Sequence, residues 1–253
     1  MRHRRAHRNG TVVAAIALAG CAIKTPYLNI SQRPIADQAM YFREASPLRV
    51  VVLPFVDKRP DLERQGQRPH SMFLLLWNRR VGDYYTGDAL FGGEIGTHLA
   101  TQTASYLKSA NVFTEVNAAP ALPQGFHFTH AEVRRLGQEQ SADYFLGGEV
   151  EHFFGSQHQQ FSMFMLPLYF VSSFGWQNGK GLPWGQTTMQ VFLYDAQTGD
   201  LAWRHQLEAS HTLPRETDSM AEAAFESFVT VAGQLATELH QLPLNSRQPS
   251  TTP

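Results

Sequence analysis

The strongest constraint on the fold lies at residues 48–56, LRVVVLPFV, a continuous apolar and β-branched run bounded by Pro47 and by the charged stretch from Asp57 to Asp61. A strand that is apolar at successive positions is buried on both faces, so it needs a packed layer above and below. Pro54 is tolerated near the end of such a strand. The chain has 253 residues, 43% apolar and 17% charged. It can therefore bury a core, and it is not a disordered acidic or basic tail. Its single Cys excludes a disulfide scaffold within the chain and a Cys-rich zinc or iron–sulfur site.

The remaining elements follow from periodicity and caps. Residues 57–90 read as an irregular connection, charged at first and then apolar at 71–77, SMFLLLW. A connection that long is unusual between a strand and a helix, and often functional. In residues 92–109, Ile95, Leu99, Ala100, Ala104 and Leu107 recur at helical spacing. Residues 112–116 form a short strand, and Thr129 with Glu132 makes a capping box for a helix ending near Gln140. Residues 143–154 are a strand whose Gly147–Gly148 pair suggests a bulge. Residues 187–195 and 201–209 form a hairpin around Gly199. A second capping box, Ser219 and Glu222, starts a helix with Ala221, Ala224, Phe225, Phe228, Ala232, Leu235 and Leu239 on one face. The order β-α-β-α-β-β-β-α predicts an α/β fold, a mixed β-sheet with helices packed on it. Residues 243–253 read as a disordered tail.

The first twenty residues carry an address. Arg2, Arg4, Arg5 and Arg8 precede an apolar decamer, 11–20, which is too short for a membrane span of roughly 20 residues. A basic start, a short apolar middle and small residues at the end mark an export signal. Leu18, Ala19 and Gly20 lead directly to Cys21, and this quartet resembles the lipobox of bacterial lipoproteins. The resemblance implies diacylglyceryl transfer to the Cys21 thiol, signal-peptidase cleavage between Gly20 and Cys21, and acylation of the new amine. Several acyl chains, at roughly 0.8 kcal/mol per buried CH₂, anchor stably where one is marginal. Ala22 and Ile23 follow the cysteine with no Asp beside it, which in such lipoproteins implies the outer membrane, facing the periplasm. Loss of residues 1–20 takes four Arg and no acid from a chain of net charge -1, leaving -5. That balance disfavours nonspecific nucleic-acid binding. Residues 21–47, with Pro26, Pro34 and Pro47, read as the tether from the lipid to the body, with room for one short ordered piece.

The strand VVVLPF followed by Asp57 and Arg59, the segment SADYFLGGEVEHF and the strand YDAQTGDLAW together resemble the CsgG-like periplasmic lipoproteins. That group includes the curli secretion channel, PelC and LpoB, and the TolB N-terminal domain shares the fold. The resemblance spans residues 48–242 and implies a CsgG-like domain, with apolar insertions at 57–90 and 155–186. It speaks for fold more than for function. In the curli channel each subunit gives two hairpins to a membrane barrel. Here only 155–186 is a candidate, because the segment after residue 205, HQLEASHTLPRETDS, is short and polar. An assembly without a barrel suits this chain better.

Within the second insertion, Phe161, Met163, Phe164, Met165, Leu166, Leu168, Tyr169 and Phe170 form an apolar stretch, with Trp176 after it. Barrel strands alternate apolar and polar residues, and this stretch does not. It reads either as a flap facing membrane or a neighbouring subunit, or as a loop folded back on the core. The first insertion raises the same alternatives.

No chemistry stands out. His127 and His130, or His152 and His158, lack the Cys or carboxylate company of a metal site. Glu149 and Glu151 alternate along a strand, which fits a solvated sheet face. Asp57, Arg59 and Asp61 read as a solvated turn or a polar rim. No phosphate-cradling glycine pattern, GxSxG motif or catalytic Cys is present. The sequence thus predicts a non-enzymatic, lipid-anchored envelope protein without cofactor, structural in a secretion or surface-organelle system. Its partners are the membrane and other envelope proteins, including further copies of itself in a ring. A regulator of a cell-wall enzyme is the alternative.

Overall fold

A computed structural model describes residues 28–67, 70–74, 77–119, 129–159 and 181–244. The run singled out above forms strand β1 (Ser46–Val52), followed by the two-residue β2 (Val56–Asp57). Next come a short helix α1 (Asp61–Gln65), a hairpin of β3 (His70–Leu74) and β4 (Trp77–Tyr85), and helix α2 (Ile95–Ser109). Strand β5 (Phe113–Ala118), helix α3 (His130–Gln140) and the long strand β6 (Tyr144–Gln159) follow. The chain closes with β7 (Trp184–Asp195), β8 (Leu201–Thr212) and helix α4 (Met220–Gln241). The expected α/β class and its order of main elements are observed.

β6 is the spine of the sheet. Along one edge it pairs in turn with β1 in parallel (Val50↔Tyr144), with β2 in parallel (Val56↔Glu149) and with β4 antiparallel (Tyr85↔Ser156, Gly82↔Gln159). Along its other edge it runs antiparallel to β7, from Tyr144↔Asp195 to Ser156↔Trp184. β5 lies parallel outside β1, and β8 antiparallel outside β7.

The two-sided burial of β1 begins at Val50. Leu48, Val50 and Val52 join α2 and α4 in the main core, with Tyr144, Leu146, Val150 and Phe153 of β6. Val51 and Leu53 turn the other way, into a smaller cluster with Phe145 and with Val133 and Leu136 of α3. All five residues predicted for the apolar face of α2, and all seven for α4, are buried. α4 comes close to the sheet at a pair of facing glycines, Gly155 and Gly185. A Cβ on Gly155 would lie 1.9 Å from the Met220 carbonyl oxygen, and one on Gly185 would lie 2.3 Å from Ala223 backbone atoms. Only glycine fits at these two positions.

Several boundaries differ from the sequence reading. The irregular connection expected at 57–90 contains a helix and a hairpin, because β4 finds its partner in β6, some seventy residues on. β6 runs five residues beyond the expected end at 154. Its irregularity falls between Val150 and His152, not at Gly147–Gly148. There its neighbour changes from parallel β2 to antiparallel β4, and a bulge supplies the added twist. Thr129 caps α3 through Glu132 N–H at 3.3 Å, but Ser219 makes no side-chain cap. The carboxylate of Glu222 is engaged by Arg33 instead.

That arginine belongs to the stretch read as tether. From Leu28 on, the chain is a strap laid along α2. Leu28 N–H donates to the Leu90 carbonyl (2.8 Å), Gln102 on α2 donates to the Arg33 carbonyl (3.1 Å), and Phe42 N–H donates to the Ala110 carbonyl (2.8 Å). Ile30 and Ile35 are buried in the main core. Two well-placed apolar side chains convert a linker into part of the body.

Candidate functional site

The residues to which the sequence assigned roles lie outside the described residues. These are Leu18, Ala19, Gly20 and Cys21, and Phe161, Met163, Phe164, Met165, Leu166, Leu168, Tyr169, Phe170 and Trp176. The structure does describe where the apolar insertions are rooted. Both leave the sheet at the C-terminal end of β6, where Tyr85 to Gly82 of β4 pair with Ser156 to Gln159. α2 begins at the same end, next to the end of β1, where Phe55 N–H donates to the Gly96 carbonyl. The strap enters there too, beside Leu90.

This root is built from polar side chains. Arg59, whose side chain is fully buried, forms a fork to both carboxylate oxygens of Asp57 (2.9 and 2.8 Å), reaches Asp88 (2.8 Å) and donates to the Phe153 carbonyl (3.3 Å). Glu63, held on α1, accepts from Phe153 N–H (3.2 Å) and lies 2.6 Å from His152 Nδ1. Thr86 Oγ1 accepts from Gly155 N–H (2.8 Å), and Gln157 Nε2 donates to the Gly181 and Glu216 carbonyls (2.9 and 2.8 Å). His158 and Asp83, opposite each other on β6 and β4, are 2.7 Å apart. Five segments (57–63, 83–88, 152–158, 181 and 216) are thereby tied together.

The electrostatics fit a structural lock. Burial opposes ionisation of Asp57, but the hydrogen bonds and charge of Arg59 outweigh it and hold the carboxyl below the usual carboxylate range. Burial likewise opposes the charge on Arg59, and Asp57 and Asp88 more than compensate. Burial, with Asp83 and Glu63 nearby, raises the Tyr85 phenol.

A cleft of about 370 Å³ opens beside the lock, lined by Phe55, Asp57, Arg64, Asp88, Glu94 and Thr97 among others. Two of its three acids are already held by Arg59. The other polar residues weighed in the sequence are also in structural contacts. Glu149 faces Lys58 (3.9 Å), and Glu151, in the bulge, accepts from Gln206 (3.2 Å). His130 lies 3.1 Å from Asp200. His127 is outside the described residues. Among the described residues, no group of three or more His, Cys, Asp or Glu is placed to hold a metal, and no helix is long and apolar enough to cross a membrane. The sequence reading missed the lock because it took Asp57 and Arg59 for a solvated turn. The only local signal was the Asp57-Lys58-Arg59 spacing, and Glu63, Asp88 and Phe153 come from far along the chain.

No family model matches the sequence, and no curated protein matches it. Solved structures do resemble the fold. A Xanthomonas campestris protein of family DUF330 covers 80% of this chain and 88% of its own, with 12% identity and TM-score 0.42. The PelC dodecamer subunit from Paraburkholderia phytofirmans covers 78% of this chain and 94% of its own, with 14% identity and TM-score 0.39. Lipoprotein GNA1162 from Neisseria meningitidis covers 76% of this chain and 99% of its own, with 14% identity and TM-score 0.36.

Proposed function

We propose that this chain is a lipid-anchored envelope protein, held through Cys21 at the periplasmic face of the outer membrane. Its body acts there, without enzymatic chemistry, as a structural or assembly component of a secretion or surface-organelle system. The observation that carries the reading is the succession of four Arg, an apolar decamer and Leu18-Ala19-Gly20-Cys21. The strap supports it, because a segment docked from Leu28 on turns the intervening residues into a short link between lipid and body. The lock supports the non-enzymatic part, since its ionisable groups hold segments together.

The test is metabolic labelling with a radioactive fatty acid in a bacterial host. The wild-type chain is expected to incorporate label and to sediment with membranes. Cys21→Ser is expected to lose both, and persistent labelling of that variant refutes the anchor. Size in mild detergent then tests assembly, since a ring runs many times heavier than the 28.4 kDa chain.

A further inference from the structure

We propose that β8 pairs edge to edge with β8 of a second copy of this chain, antiparallel about a two-fold axis at Gln206. The pairing goes beyond the anchored role proposed above and does not depend on it.

Three observations carry it. The first is an open edge. Among the described strands β8 pairs only with β7. It is 12 residues long, whereas β5, outermost on the far side of the sheet, has 6. Long edges are commonly blunted with Lys, Pro or bulges. Between Trp203 and Thr212, β8 has no Lys, Pro or Gly, and its register with β7 is unbroken. Arg204, His205, Gln206, Glu208 and Ser210 are exposed. His205 lies on the α4 face, where Glu238 engages it, so α4 stops short of the edge.

The second is the phase of the ladder. Leu213 N–H donates to the Pro183 carbonyl (2.9 Å). Bonded pairs alternate along an antiparallel ladder, so the odd-numbered residues from Trp203 to His211 bond to β7. Arg204, Gln206, Glu208 and Ser210 therefore aim their N–H and C=O groups at the open edge. A second β8 can bond there only where its own even-numbered residues meet these. That forbids matching 201–212 end to end, because Leu201 would meet Thr212. The longest permitted overlaps are 201–211, centred on Gln206, and 202–212, centred on Leu207.

The third is charge. The overlap about Gln206 sets Arg204 opposite Glu208 of the second copy, and Glu208 opposite its Arg204. The overlap about Leu207 sets Arg204 opposite Ser210, and Glu208 opposite Gln206. Opposite charges directly across two strands stabilise the pair, and a two-fold axis makes each such contact twice. Arg204 lies over the Phe192 ring (5.4 Å) and Glu208 accepts from Gln186 (2.9 Å), so both side chains are held on the face where they meet. On the α4 face Trp203 meets Ala209 of the second copy; both are half-buried against the main core. A two-fold axis perpendicular to the joined sheet also keeps both α2–α4 layers, with their straps, on one side.

The test is the mass of the full chain in mild detergent, by light scattering over a range of concentrations. Wild type is expected to reach the mass of two chains. Arg204→Glu and Glu208→Arg each set like charges opposite at both contacts, and each is expected to raise the dissociation constant about tenfold. An equal mixture of these two variants restores opposite charges and is expected to pair as wild type does. The double variant Arg204→Glu/Glu208→Arg is expected to do so alone, and either rescue shows that the variant chains are folded. A wild-type chain that stays single at every concentration overturns the proposal. Pairing, or a heavier assembly, that neither reversal weakens overturns it too, because another surface then joins the copies. Weakening by both reversals with rescue in neither the mixture nor the double variant overturns the register about Gln206. The masses read the same whether or not Cys21 is acylated, so failure of the anchor and failure of the pairing are separate results.

Discussion

The two halves of β6 solve the same problem by different means. From Tyr144 to Val150 the strand is held by area, with Tyr144, Leu146 and Val150 against α2 and α4, and Phe145 against α3. From His152 to His158 it is held by direction. Phe153 is still buried, but its N–H and carbonyl go to Glu63 and Arg59, Gly155 N–H goes to Thr86, and Gln157 reaches across to 181 and 216. Burial by area tolerates exchange of one apolar shape for another. Burial by direction does not, since removing one partner leaves the other desolvated and unpaired.

The contrast is most exposed by substitution in each half. Leu146→Ala is expected to cost about 2–5 kcal/mol, yet Leu146→Met less than about 1.5. Arg59→Ala is expected to cost about 3 kcal/mol, the low end for a broken buried pair, because Asp57 and Asp88 keep some contact with water. Arg59→Lys should recover little of that, since an ammonium cannot reproduce the fork. Urea unfolding of all four variants measures this, and a Lys variant as stable as wild type would break the contrast.

A smaller effect separates the two helix starts. Thr129→Ala is expected to lose about 1 kcal/mol through its cap on α3, and Ser219→Ala to lose almost none. Equal losses in thermal unfolding would show that Ser219 caps α4 after all.

The smallest effect is in pH dependence. The folded pKa of Asp57 is depressed, so its contribution is in place above the unfolded carboxylate value, about 3.9, and is lost as pH falls through the folded value. Arg59 is shifted upward from an already high value, so it adds no slope in that window. Asp57→Asn should therefore lose less stability than wild type on acidification below about pH 4; parallel curves would remove Asp57 from the lock's balance.

The area-held half was legible in the sequence, because LRVVVLPFV, the apolar stripes of α2 and α4 and the Thr129 cap are local patterns with a local physical meaning. The direction-held half was not. Arg59 meets Asp88 and Phe153 only after the chain has folded, and β4 is recognisable as a strand only beside β6. The same holds for the strap: Ile30 and Ile35 are two isolated apolar residues in a Pro-bearing stretch, and only the groove along α2 makes them core.

The facing glycines Gly155 and Gly185 give the fold an indexing notch. The apolar face of α4 runs the length of the helix, which could, on adhesion alone, slide by a turn along the sheet and still cover it. Missing side-chain atoms on β6 and β7 admit the backbone of Met220 and Ala223 at one position only. The last helix is thus located by empty space, and shifting it by one turn would require both vacancies to move with it.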